Sequence, residues 1–241
     1  MSFPRVESLT YTPDTPALFA SLASRPYAVF LDSGIPAAHG GRYDILAADP
    51  TCVLTTRGEV TEIRSRNNRR ISDGDPFDLL REALRPGTTP VGGLPFAGGA
   101  IGYFGYDLGR RLESLSVIAR DDATLPQMQV GIYDWAVVVD HVEQRAWLAG
   151  QGRDAATLER WDERVAWLSA PARAGSEFSL QVSGPVRSNM DRDAYASAFR
   201  RIQRYIRDGD CYQVNLAQRF QAIVAGDPWQ IYRALRRALQ T

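Results

Sequence analysis

Gln213 and Asn215 stand two residues apart in the stretch CYQVNLAQRF, where a plain core strand would carry valine. A strand over Cys211–Val224 would place Tyr212, Val214 and Leu216 on one face and Gln213, Asn215 and Arg219 on the other. Two readings stand side by side. Either this is an edge strand with one wet face, or its amides line a polar cavity, donating to and accepting from a small polar ligand. His39 and His141 each stand alone, and read as turn or hydrogen-bonding residues rather than metal ligands. Gly99, Gly102 and Gly105 invite comparison with a phosphate loop, but no Lys-Ser/Thr follows them. They read instead as points where strands pack closely beside Tyr103, Phe104 and Tyr106. The run RSRNNRR turns at Asn67-Asn68 and reads as a solvated hairpin tip rather than an anion site.

The elements that must position these residues follow from periodicity. A helix is expected after Asp14, with Leu18, Phe19 and Leu22 on one face. PYAVFLDSG and RYDILAADP read as strands, and CVLTTRGEVTEIRS as a hairpin turning at Gly58. Asp75-Pro76 opens a helix with Phe77, Leu80 and Leu84 buried. VGIYDWAVVVDHVEQRAWLAG is the strongest strand signal, a β-branched run with a turn and a return strand. Leu158, Trp161, Val165 and Leu168 form a helical stripe, followed by a Pro/Gly-punctuated linker. Asp191 caps a helix that buries Tyr195, Phe199, Ile202 and Ile206 and stops at Gly209. Asp227-Pro228 opens a last helix with Ile231, Leu235 and Leu239 inward. Hairpins with attached helices, rather than regular βαβ alternation, argue for an α+β fold built on large antiparallel sheets.

Composition narrows the function. The chain has 241 residues, 44% hydrophobic and 23% charged, with a formal net charge of zero. That is ordinary globular composition, and it advertises no nucleic-acid partner. All 28 basic side chains are arginines, so no Schiff-base or P-loop lysine exists in these residues. Cys52 and Cys211 lie far apart without CxxC spacing, which fits a reducing compartment. MSFPRVESLTYTPD lacks the pattern of a signal peptide, and no apolar run reaches membrane-spanning length. A soluble, cytoplasmic protein without membrane contact is expected.

GDCYQVNLAQRF closely resembles the strand that opens the chorismate-binding domain of the anthranilate and aminodeoxychorismate synthase large subunits. FLDSG with GGRYDILAADP resembles the N-terminal signature of the same family. GGAIGYFGYDLGRRLE and LPQMQVGIYDWAVVVDH resemble its middle signatures, in the same order. Asp44 of RYDIL, the YDWAVVVDH strand and CYQVNLAQRF look like the aminodeoxychorismate branch, component I. The resemblance implies large antiparallel sheets packed as a sandwich with flanking helices, truncated here. Residues 1–170 would be an N-terminal-like domain, 171–188 a linker, and 189–241 the incomplete start of the chorismate-binding domain.

The implied activity is amination of chorismate to 4-amino-4-deoxychorismate, for 4-aminobenzoate and folate synthesis. It would use magnesium and ammonia from a glutaminase subunit. Two rivals remain: an anthranilate synthase component I, or a non-catalytic module that binds tryptophan or a partner. The family also implies a bound L-tryptophan, bordered by Ser33 of LDSG and by Gly40, Gly41, Arg42 and Tyr43 of GGRYD. Tyr212 and Asn215 are weaker candidates for its inner side. Gly40 and Gly41 replace bulkier residues of some relatives, so only their backbone contacts carry over. Without the resemblance, Ser33-Gly34 would read as an ordinary turn and Arg42 as a surface charge. The family's lysine motif and its magnesium-binding glutamates are absent, so no catalytic or metal residue is assigned. A fragment, poorly stable alone, is the expectation.

Overall fold

Asp134 divides the longest apolar run of the sequence into two strands that belong to different sheets. In the computed structural model, which describes residues 4–34, 41–84, 90–114, 116–117, 121, 124–169 and 181–239, the run read as one long strand is β8 (Met128–Tyr133) followed by β9 (Trp135–Asp140). The Asp134 carboxylate is buried and accepts the backbone N–H groups of Arg153 and Asp154, both at 3.0 Å. Its carbonyl accepts from Gln151 N–H at 2.9 Å. One acidic residue amid valines thus pins the corner where the chain changes sheets, because a buried carboxylate demands donors that only the opposing loop supplies.

The first antiparallel sheet runs β1 (Arg5–Leu9), β10 (Arg145–Gly150), β9, β3 (Tyr43–Ala47), β2 (Val29–Leu31). The second runs β6 (Asn68–Ser72), β5 (Val60–Ser65), β4 (Cys52–Arg57), β8, β7 (Gly99–Phe104). Ala47 and Ala136 of the first sheet pack with Ile101 and Tyr133 of the second, so the sheets share a core. The other face of the first sheet carries helices α1 (Thr15–Phe19), α3 (Ala155–Glu159) and α4 (Trp161–Leu168). There Phe19, Leu22, Trp161 and Leu168 are buried. Helix α2 (Pro76–Ala83) covers the second sheet through Leu79 and Leu80, packed with Leu54, Met128 and Val130. Its cap, Asp75, accepts from the N–H groups of Phe77 and Asp78.

Several sequence readings resolve here. The glycines of β7 do permit close approach: a Cβ on Gly102 would overlap the Gln129 carbonyl oxygen and lie 2.6 Å from the Val130 Cα. The basic tip is a hairpin between β5 and β6 whose arginines pair with acids. Arg64 and Arg69 both bond Glu62, Arg70 bonds Glu82, and Arg66 lies 3.5 Å from Asp154. Arg69 foremost, then Arg64, holds the Glu62 carboxyl down at about 2. β1 escaped the sequence reading. Its register on β10 supplies the pairing that its own RVESL pattern does not advertise.

The described residues form two units, Met1–Gly175 with Leu239–Thr241, and Ser176–Ala238. The second contains β11 (Gln181–Ser188), α5 (Arg192–Asp208), β12 (Phe220–Ala225) and most of α6 (Pro228–Leu239). Residues 181–188, read above as linker, form β11; its Gly184-Pro185 punctuation marks an irregularity in pairing with β12. Asp191 caps α5 through Ala194 N–H, and Gly209 ends it at φ 84°. The burial expected of its apolar face does not occur. No described residue of this unit is buried, with Phe199, Ile223 and Leu235 each at least half exposed. The inward face expected for α6 is likewise open, with Leu239 68% exposed. The expected strand from Cys211 starts only at Phe220. β11 ends at Ser188, and among the described residues no strand extends the ladder to 211–219. Without a partner strand this stretch has no ladder to join.

Candidate functional site

Ser33 follows β2, Gly41 and Arg42 precede β3, and His141 follows β9, so neighbouring strand ends gather them at one end of the first sheet. Asp44 lies beside them, 1% exposed, in a strand whose other residues are mostly apolar. Its Oδ1 accepts both the Ser33 N–H and the Ser33 hydroxyl, each at 2.8 Å. Its Oδ2 lies 2.9 Å from His141 Nε2, so that nitrogen carries the proton facing the carboxylate. His141 Nδ1 is 3.3 Å from the Tyr11 hydroxyl, and Thr15 Oγ1 is 3.4 Å from Nε2. Gly41 packs directly on Ser33. A Cβ there would overlap the Ser33 carbonyl oxygen and lie 2.8 Å from its Oγ.

Arg42 and Tyr43 form the other half of the cluster. Arg42 Nε and a terminal nitrogen donate to Asp140 at 3.0 and 2.8 Å, and its guanidinium lies 4.7 Å over the Tyr43 ring. The sequence reading of Arg42 as a surface charge holds for its half-exposed side chain, but its partner Asp140 is 3% exposed. Alternation along β3 puts Tyr43 with Ile45 toward the second sheet and Asp44 on the opposite face. The Ser33 hydroxyl and the Tyr43 ring therefore address different faces of the sheet end.

Burial pushes the Asp140 carboxyl up, but the Arg42 bond and the N–H groups of Glu143 and Val142 together outweigh it and hold the group below its ordinary range. A carboxyl lowered in the folded state contributes stability above its unfolded value, about 3.9, and that contribution is lost as pH falls through the folded value. Urea midpoints at pH 5 and pH 3 test this. Asp140→Asn is expected to show a smaller acid-induced drop than the parent. Equal drops in both would show that the pair contributes nothing to acid sensitivity.

At the far end of β9 lies a cavity of about 760 Å³, lined by Thr51, Arg66, Tyr133, Asp134, Gln151 and Asp154 among others. In it Asp134 accepts from the loop amides and Arg66 lies against Asp154, while the Tyr133 hydroxyl and the Gln151 amide donate to the carbonyls of Tyr27 and Ala97. The residues that the motifs named lie at the opposite end of the first sheet, not in this cavity.

The comparisons with known proteins bear on the whole chain. The family model described as "chorismate binding enzyme" matches residues 33–241. The chain belongs to the chorismate-binding enzyme family. Aminodeoxychorismate synthase component 1 of Klebsiella aerogenes is 42% identical over 99% of this chain and 52% of its own length. The same-named protein of Escherichia coli K12 is 42% identical over 91% and 48%. Anthranilate synthase component 1 of Acetivibrio thermocellus is 32% identical over 81% and 43%. The crystal structure of anthranilate synthase component I from Streptococcus pneumoniae superimposes with a TM-score of 0.67 at 27% identity, covering 99% of this chain and 53% of that one. The chain spans about half the length of the relatives it matches.

Of the ligand residues that the resemblance implies for this family member, Ser33 and Gly41 pack on each other and Arg42 lies over Tyr43, whose ring takes the other face of the sheet. Gly40 lies outside the described residues. Tyr212 and Asn215 belong to the second unit, both exposed, Tyr212 by 94%. Gln213 Nε2 reaches Asn215 Oδ1 at 3.4 Å, so the two amides meet each other instead of lining one face of a strand. Sequence reasoning missed the roles of Asp44, Asp140 and Tyr11. The available signals were an acid in the apolar stretch YDILA, and Asp140-His141 closing a run of valines. Among the described residues no group of three or more His, Cys, Asp or Glu could hold a metal ion, so the magnesium implied by the resemblance finds no fitting ligand set there. No helix, among the described residues, is long and apolar enough to cross a membrane.

Proposed function

We propose that this chain forms the N-terminal portion of an aminodeoxychorismate synthase component I. The complete protein would aminate chorismate to 4-amino-4-deoxychorismate in a cytoplasmic setting, with magnesium and with ammonia from a glutaminase subunit. The observation that carries this reading is the 42% identity over 99% of the chain to a protein named for that activity, against 32% over 81% for an anthranilate synthase. The partner follows from the name "component 1", which the relatives carry. The lysine nucleophile and the metal-binding glutamates of the family resemblance are not in these 241 residues. On this reading they come from the remaining half-length that the relatives possess, whose strands would also cover the exposed apolar faces of α5, β12 and α6. The cluster of Ser33, Gly41, Arg42 and Tyr43 would serve as a regulatory or structural tryptophan site.

Disrupting the gene in its own organism tests the activity. Growth is expected to require 4-aminobenzoate and to be restored by it. A requirement for tryptophan or anthranilate instead would assign the protein to the anthranilate branch.

A further inference from the structure

We infer that the cavity at the far end of β9 is a binding site for a small carboxylate on a compact apolar body, with Arg66 as the group that takes the carboxylate. The inference stands apart from the enzyme reading above. At about 760 Å³ the cavity falls within the range of small-molecule sites, and its lining belongs wholly to the first unit. Consecutive glycines help to keep it open. Gly98 and Gly99 take φ of 120° and 138°, so the chain enters β7 beside the Asp134 corner without a side chain to fill the space. The floor is fixed in advance. Asp134 holds the loop amides, and the Tyr133 hydroxyl and the Gln151 amide donate to carbonyls at 2.8 and 3.2 Å. A site already in shape spends little of its binding energy on ordering itself.

Two features of the wall set the ligand class. Ala83, Leu84, Ile132 and Ala155 offer apolar surface for a ring or branched carbon body. The charged donor is Arg66. Its neighbours on the hairpin, Arg64, Arg69 and Arg70, hold their carboxylates at 2.8, 2.8 and 3.1 Å, whereas Arg66 reaches Asp154 only at 3.5 Å. That distance is the outer limit of a hydrogen bond, and among the described residues the guanidinium has no second acceptor. Most of its five N–H donors are therefore left for a ligand. Asp154 cannot simply close the gap, because its other oxygen accepts the Ala156 N–H at 3.1 Å and caps α3. A ligand carboxylate would take the guanidinium as a two-pronged pair and replace this loose contact.

Backbone amide chemical shifts of the 241-residue chain, titrated with benzoate, benzamide and inorganic phosphate, decide the matter. Benzoate is expected to move the amides of Ile132, Gln151 and Ala155 saturably. It should bind about tenfold tighter than benzamide, the low end for a hydrogen bond to a charged group because Arg66 is 63% exposed. Arg66→Gln, a change on an exposed hairpin tip, should bring the two compounds to within about twofold of each other. Asp154→Asn keeps a helix-capping side chain and removes the competing charge. It should tighten benzoate about threefold and leave benzamide unchanged, the scale of a partly exposed ion pair. Should that variant loosen α3, the Arg66 variant and the three compounds on the unaltered chain still give the answer. Benzamide binding as tightly as benzoate overturns the role of Arg66. Phosphate binding as tightly as benzoate overturns the apolar body. No saturable shift at those amides with any of the three overturns the site itself.

Discussion

Asp44→Ala is expected to destabilise the first unit by about 3–5 kcal/mol, the cost of leaving several buried hydrogen-bond donors without their acceptor. The size follows from the accounting of donors. Three protons converge on this carboxylate, from Ser33 N, Ser33 Oγ and His141 Nε2, all within 2.9 Å. Alanine leaves them facing an apolar methyl group, and each buried unsatisfied donor costs about 1–3 kcal/mol. His141 is itself only 3% exposed, so its ring cannot swing out to water without opening the contact with Tyr11. Asp44→Asn keeps the shape and one acceptor oxygen, and should cost distinctly less. Urea unfolding followed by tryptophan fluorescence reads both variants, since Trp135, Trp147, Trp161 and Trp167 all lie in this unit. A loss below about 1 kcal/mol for the alanine variant would mean that water replaces the carboxylate and that the network is ornamental.

Much of the first unit was legible before any coordinates. Asp14 and Asp75 cap the helices where the motifs placed them, and the hairpins turn at Gly58 and at Asn67. The α+β sandwich follows, and the helix capped by Asp191 stops at Gly209 as read. These are local signals, fixed by turn chemistry and periodicity. What failed was nonlocal. β1 is a strand because β10 offers an edge, not because RVESL prefers extension. The valine run breaks at Asp134 because a loop twenty residues on supplies two amides. Cys211 to Arg219 remains outside the sheets because a strand requires a neighbour, however well its residues alternate. The candidate site shows the same division. Its contacting residues were named from motifs, but Asp44 and His141 lie 97 positions apart and meet only through the pairing of β3 with β9.

That pairing also joins the site to the helices. Asp44 and Val139 face each other across β3 and β9, and Trp135 shares their face by alternation. The Asp44 cluster and the helix resting on Trp135 therefore share one face of β9 at its opposite ends.

Trp135→Ala should be the most damaging substitution in that row. The ring is 1% exposed, and truncation of a buried tryptophan costs about 3–5 kcal/mol. A second loss adds to it. Arg164 of α4 is 4% exposed, with its guanidinium 5.0 Å over the Trp135 ring and, among the described residues, hydrogen-bonded to the carbonyls of Ala156 and Thr157. Burial, aided by the charge of Arg160, already brings its pKa down to about 10. Without the ring face the cation loses an attraction worth up to about 2 kcal/mol in a desolvated setting. A double-mutant cycle separates the two contributions. Arg164→Met in the Trp135→Ala background should cost less than in the parent, giving a coupling of about 1–2 kcal/mol by urea unfolding. Strict additivity would mean that the arginine is held by its two carbonyl bonds alone. In that case α4 would be anchored through Trp161, whose ring leaves no room for a Cβ on Gly150.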